Sequence, residues 1–73
     1  MASIEIRTDI TGTVWKVLKQ VGDTVLEDEP ILILESMKME IPVAAPERGV
    51  VTAIAVKEGD IAPEGSIVAR VEA

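Results

Sequence analysis

Cysteine, histidine, tyrosine and phenylalanine are all missing from this chain, and one tryptophan is its entire aromatic content. Without cysteine there are no disulfides and no thiolate nucleophile. Without cysteine or histidine the usual zinc ligand sets are gone, and so is the general base of Ser-His catalysis. Basic residues are also scarce: seven Lys and Arg stand against thirteen Asp and Glu, for a formal net charge of −6. A protein that grips nucleic acid needs a basic face to neutralise phosphates, and anionic membrane surfaces ask for the same. No nucleic-acid and no membrane partner is therefore expected. Apolar runs are short: Ile31 to Leu34, and Val50–Val51 with Ala53 to Val56, far below the ~18 residues of a membrane helix. The first residues, Met1-Ala-Ser-Ile-Glu-Ile-Arg, show neither the basic nor the apolar region of a signal peptide. A cytoplasmic setting is expected, and the lack of cysteine fits a reducing compartment.

What is present is aliphatic. Apolar residues make up 48% of the 73 positions, so a core of Val, Ile, Leu and Ala is within reach. A chain of this length forms one small domain that buries roughly 60% of the surface its unfolded form exposes. Ser3-Ile-Glu-Ile-Arg7 alternates with period two, and Val and Ile dominate the apolar positions, as suits strands. Turn signals recur at Thr11-Gly12, Gly22-Asp23, Glu29-Pro30, Pro46-Glu-Arg-Gly49, Gly59-Asp60 and Pro63-Glu-Gly65. The pattern predicts an all-β fold, a small barrel or sandwich, with strands near 3–7, 13–19, 24–25, 30–35, 39–44, 50–57, 61–62 and 66–72.

The chain repeats itself at an offset of thirty-seven residues. Ile4 falls on Ile41, Gly12 on Gly49, Val14 on Val51, Gly22-Asp23 on Gly59-Asp60, Glu27 on Glu64 and Glu35 on Glu72. Ile6 with Val43, Val17 with Ile54, Ile31 with Val68 and Leu34 with Val71 are conservative matches. Two half-repeats, about 1–36 and 38–73, are expected to pack around a pseudo-two-fold axis as one domain. In each half two matched apolar residues lie three apart, Val14 and Val17, then Val51 and Ile54. Strands alternate with period two, so both can face inward only across a β-bulge, which is expected near Trp15-Lys16 and near Thr52-Ala53.

The seam of the repeat holds Glu35-Ser-Met-Lys-Met-Glu40. Strand-like runs on both sides predict a hairpin whose tip is Met37-Lys38. Two methionines beside a lysine at a solvated tip are an odd choice where Asn-Gly or Asp-Gly would serve a turn. Adaptable apolar side chains around one amine suit a surface that a partner must grip. The plainer reading folds Met37 and Met39 back onto the sheet and leaves Lys38 an ordinary charge.

Glu35-Ser36-Met37-Lys38-Met39-Glu40, framed by Gly22-Asp23 and Gly59-Asp60, resembles the biotinyl domain of biotin-dependent carboxylases, within the biotinyl/lipoyl attachment family. The likeness runs from about Ile4 to Glu72. It implies a flattened eight-stranded antiparallel β-barrel of two quasi-symmetric halves, with the modified lysine on a hairpin turn. It further implies that Lys38 carries biotin as an amide and that the chain is a carrier, not an enzyme. A lysine amine is mostly protonated at neutral pH and a weak nucleophile, so the acyl group must arrive activated, as an adenylate made by a biotin protein ligase. By the same resemblance, tethered biotin shuttles a carboxyl group from a biotin carboxylase to a carboxyltransferase. Met37 and Met39 would be read by the ligase, with Glu35 and Glu40 as weaker recognition candidates. Glu35 also matches Glu72, so a structural role stands beside that one. Ser36 stands where the family more often has Ala. Val25 to Ile31 aligns with Ala62 to Val68 without a gap, so no inserted thumb is expected and the biotin arm should be mobile. Trp15 matches Thr52, so the symmetric core does not demand it; a half-buried cover is expected, with a partner contact as the alternative. The nearest rival is a lipoyl carrier, with lipoate on the same lysine, although lipoyl domains typically show Asp-Lys-Ala. A structural barrel-sandwich module, which needs no lysine at the seam, is the rival from another class.

Overall fold

In the computed structural model the described residues are 2–73; Met1, where the first half-repeat begins, lies outside them. Eight strands follow one another: β1 (Ser3–Arg7), β2 (Gly12–Val17), β3 (Thr24–Val25), β4 (Pro30–Ser36), β5 (Met39–Ala44), β6 (Gly49–Ile54), β7 (Ile61–Ala62) and β8 (Ile67–Glu72). They form two antiparallel four-stranded sheets, ordered β1-β8-β6-β3 and β5-β4-β2-β7. Among the described residues there is no helix. Facing each other, the sheets make the flattened barrel, and the body measures 36 × 18 × 18 Å.

Shifting every strand by the repeat offset turns one sheet order into the other. Backbone hydrogen bonds follow the same rule. Val14 N donates to Asp60 O and Val51 N donates to Asp23 O, both at 2.8 Å. Gly22 N donates to Val51 O and Gly59 N to Val14 O, again both at 2.8 Å. These bonds cross between halves, so each sheet is built from strands of both. Internal repetition in the sequence is thus an interleaved pseudo-two-fold in space.

The core is aliphatic, as composition required. Ile31, Leu32, Leu34, Val25, Val68, Ala69 and Val71 are wholly buried, with Val14, Val51 and Ala62 nearly so. Both expected bulges are present. Between β2 and β4 the register shifts between Val14, opposite Leu34, and Lys16, opposite Ile33. Between β6 and β8 it shifts between Val51 and Ala53. The extra residues, Trp15 and Thr52, face solvent, while Val14 and Val51 stay inside.

Two strands stop two or three residues before the sequence pattern ends them. β2 ends at Val17 and β6 at Ile54, not at 19 and 57. Beyond Val17 the ladder loses its one-to-one pairing, because Leu18 N and Lys19 N both donate to the single carbonyl of Ile31. Hydrophobic residues run on past that point, but a local Asp turn takes over. The Asp23 carboxylate accepts from Gln20 N at 2.8 Å, and the Asp60 carboxylate accepts from Lys57 N at 3.0 Å. Gly22 and Gly59 take φ of 98° and 95° in these turns, which a glycine adopts without steric cost.

Candidate functional site

β4 and β5 pair directly across the seam of the repeat. Leu34 lies opposite Ile41, Glu35 opposite Glu40 and Ser36 opposite Met39. Only Met37 and Lys38 remain to make the connection, so Lys38 sits at a two-residue hairpin tip. Both have positive φ, 52° for Met37 and 66° for Lys38, as a type I′ turn requires at its two central positions. That turn matches the strand twist and is ordinarily filled by Asn-Gly, because the left-handed region crowds Cβ against the carbonyl. Here a methionine and a lysine occupy it. A like-charged pair, Glu35 and Glu40, stands directly across the ladder beneath, an arrangement unfavourable to pairing. Local stability would have selected other residues at these positions. Strain held where the neighbouring β-pairing over-determines it is a mark of a site kept for use.

The plainer reading of the methionines does not hold in the structure. Met37 is 91% and Met39 60% exposed, so neither folds back under the sheet. Glu35, Lys38 and Glu40 are exposed too. Among the described residues no carboxylate lies within ion-pair distance of Lys38 Nζ, and no hydrogen bond holds it. Its amine can take an acyl group without giving up a contact, as covalent tethering of a cofactor requires. The hairpin brings together all five residues singled out from sequence: Glu35, Met37, Lys38, Met39 and Glu40. The positive φ at the tip was not readable in advance, since no glycine or asparagine marks it.

A hollow of about 650 Å³ on the sheet of β1, β8, β6 and β3 lies apart from the hairpin, lined by Thr24, Val50, Thr52 and Glu72 among others. A smaller one of about 120 Å³ reaches Leu34 and Ile41 but no residue from 36 to 39. Lys38 is therefore presented on a projection, not enclosed in a cleft. Trp15, expected as a half-buried cover, is 43% exposed, with Lys16 Nζ 5.4 Å from its ring centroid.

A family model described as "Biotin-requiring enzyme" matches residues 2–71. The chain is 40% identical over 62 residues to a biotin/lipoyl attachment protein of Bacillus subtilis, covering 85% of each. It is 50% identical over 54 residues to a biotin carboxyl carrier protein of Streptococcus mutans, covering 74% of this chain and 42% of that one. Among solved structures, the urea carboxylase of Kluyveromyces lactis superposes with a TM-score of 0.93 at 33% identity, covering 99% of this chain and 6% of that one. The lipoyl domain of the 2-oxoglutarate dehydrogenase complex of Azotobacter vinelandii superposes with a TM-score of 0.72 at 32% identity, covering 86% and 80%. The flattened barrel, the family model and these relatives agree: the chain belongs to the biotin/lipoyl attachment-domain family.

Proposed function

We propose that this chain is a biotin carboxyl carrier that holds biotin on Lys38 Nζ and serves a biotin-dependent carboxylase. One observation carries the reading: a free amine stands at the tip of a strained two-residue turn, flanked by the exposed side chains of Met37 and Met39. In the attachment step the deprotonated Nζ attacks the acyl-adenylate supplied by a biotin protein ligase. An amide forms, the acyl–phosphate bond breaks, and AMP leaves with release of one proton from the amine. Biotin, when bound, supplies a ureido nitrogen that takes up and gives away a carboxyl group. The chain itself presents and releases. Its paired β4–β5 hairpin gives the tether a rigid base, and acylation removes the Lys38 charge. Met37 and Met39 offer the ligase a soft apolar grip, and Glu35 and Glu40 set an acidic character around it. Biotin carboxylase and carboxyltransferase are the partners of the two half-reactions, in the cytoplasm.

A lipoyl carrier is the second reading, favoured by the similarity to a lipoyl domain of 2-oxoglutarate dehydrogenase. Met-Lys-Met in place of the Asp-Lys-Ala typical of lipoyl domains argues for biotin. Intact mass after co-expression with a biotin ligase, followed by peptide mapping, separates the two because the acyl groups differ in mass. A biotinyl increment on Lys38, absent in Lys38→Arg, is expected. A lipoyl increment in native material, or an unmodified Lys38 beside an active ligase, overturns the biotin reading.

A further inference from the structure

Internal symmetry gives this molecule a control for each of its own residues. Trp15, Leu18 and Val21 correspond by the thirty-seven-residue offset to Thr52, Ala55 and Glu58. Both halves build the same strands, bulges and Asp turns, so the second half shows what the fold requires at these positions: something small or polar. The core obeys the symmetry, with Val14 and Val51, Ile31 and Val68, and Leu34 and Val71 all buried. Trp15, Leu18 and Val21 break it. They are 43%, 47% and 63% exposed, spaced three apart along β2 and the segment that leaves it. Isolated exposed apolar residues are common, but a run that the sister half does without calls for another cause than packing.

The surroundings are acidic. Asp23, Glu27 and Asp28 are exposed nearby in the chain, and Glu58 Oε2 accepts from Val17 N at 3.3 Å. Both lysines of the segment are engaged, Lys16 over the Trp15 ring and Lys19 with Glu29 at 3.1 Å. Trp15 lies across from Leu34 and Ile33 of β4, roughly 10 Å from the turn at the ~3.3 Å rise of a strand. From there the strip runs away from Lys38.

Resting on the carrier reading, we infer that Trp15, Leu18 and Val21 form a docking strip for a catalytic component that acts on the group tethered at Lys38. That component presents an apolar face rimmed by basic side chains. A partner seated on the strip grips the side of the barrel and leaves the hairpin free to enter its active site. A second copy of this chain is disfavoured as occupant, because it would bring two acidic rims together between molecules of net charge −6.

The test copies the second half onto the first: Trp15→Thr, Leu18→Ala and Val21→Glu in one chain, expressed with a biotin ligase. Mass spectrometry of Lys38 reads the carrier function separately from docking. The modified chains are then titrated as substrates of purified biotin carboxylase and carboxyltransferase components from the source cell. Equal modification of Lys38 is expected. So is a rise of about tenfold or more in the carrier's KM in at least one half-reaction, as loss of an interface anchor produces, with kcat nearly unchanged. The wild-type KM should also climb with salt. An unchanged KM in both half-reactions overturns the docking strip while the carrier reading stands. A wild-type dimer that the triple variant fails to form overturns it too, by making a second copy the occupant. An unmodified Lys38 in the wild type removes both. If the triple variant does not fold, Trp15→Thr alone must show the same KM shift in the same half-reaction, or the strip falls.

Discussion

At Lys38 local energetics and the proposed attachment of biotin pull in opposite directions. A left-handed residue other than glycine costs roughly 1–2 kcal/mol, and Lys38 at φ 66° stands in that region. Lys38→Gly should raise unfolding stability by about 1 kcal/mol in a urea titration, because glycine enters that region freely. On the carrier reading proposed above, the same substitution is expected to abolish modification, which intact mass after co-expression with a biotin ligase checks. A loss of stability in Lys38→Gly would show that the tip is not strained. Glu29 is the second residue with a measurable signature. The Leu26 backbone N–H, which donates to its carboxylate, and then the Lys19 ammonium hold its pKa below the usual 4.5. A depressed carboxylate pKa in the folded state adds stability that is present above the unfolded value and is lost as pH falls through the folded one. Thermal melts should therefore show a decline below about pH 4.5 that is shallower in Glu29→Gln. Of these residues, Lys38 was legible from its place at the seam of the repeat. Glu29 was not, because Lys19 is ten positions away and meets it only where β2 and β4 come together.

At the scale of elements, the bulges and the close crossings decide the sheet geometry. Spacing alone revealed the bulges at Trp15 and Thr52, because two matched apolar residues three apart cannot both face inward on a regular strand, whereas the register shifts between Ile6 and Arg7 and between Pro30 and Leu32 left no such mark. The crossings were less visible. Gly12 and Gly49 match in the repeat, and each begins a strand where it passes a carbonyl near the end of another. A Cβ at Gly12 would lie 3.0 Å from Glu35 O and 3.3 Å from Leu34 Cβ, a tight fit that asks a few tenths of an ångström of its neighbours. A Cβ at Gly49 would collide with Glu72 O and stand 2.6 Å from Val71 Cγ1. Overpacking of this kind costs about 1–3 kcal/mol. Gly49→Ala should therefore fall at the upper end of that range and Gly12→Ala at the lower, compared by chemical denaturation. Equal losses would mean that the two halves relax alike. Strand ends were the least legible feature, since β2 and β6 stop where two N–H groups share one carbonyl or an Asp turn begins, not where hydrophobicity stops.

For the whole molecule, the decisive fact is that the halves interleave. β1 and β3 complete the sheet of β6 and β8, while β5 and β7 complete the sheet of β2 and β4. Left alone, the first half keeps only the β2–β4 pairing and the second only β6–β8. A two-stranded ribbon is marginal in water. Peptides spanning 1–37 and 38–73 should each be unfolded by circular dichroism and regain β signal only when mixed. A cooperative melt from either peptide alone would contradict the interleaved core.

Much followed from the sequence by itself: an aliphatic all-β fold, two equivalent halves, two of the bulges and one conspicuous lysine between them. Those properties are written in composition, in period and in self-similarity, which are local or follow from sliding the chain along itself. Tertiary structure alone decided that the halves exchange strands instead of folding separately, that Met37 and Lys38 take left-handed conformations, and that Trp15, Leu18 and Val21 stay in solvent. Each depends on which distant strand supplies the hydrogen bonds and the cover. Self-similarity shows that two segments are equivalent, but only packing in three dimensions shows what each of them meets.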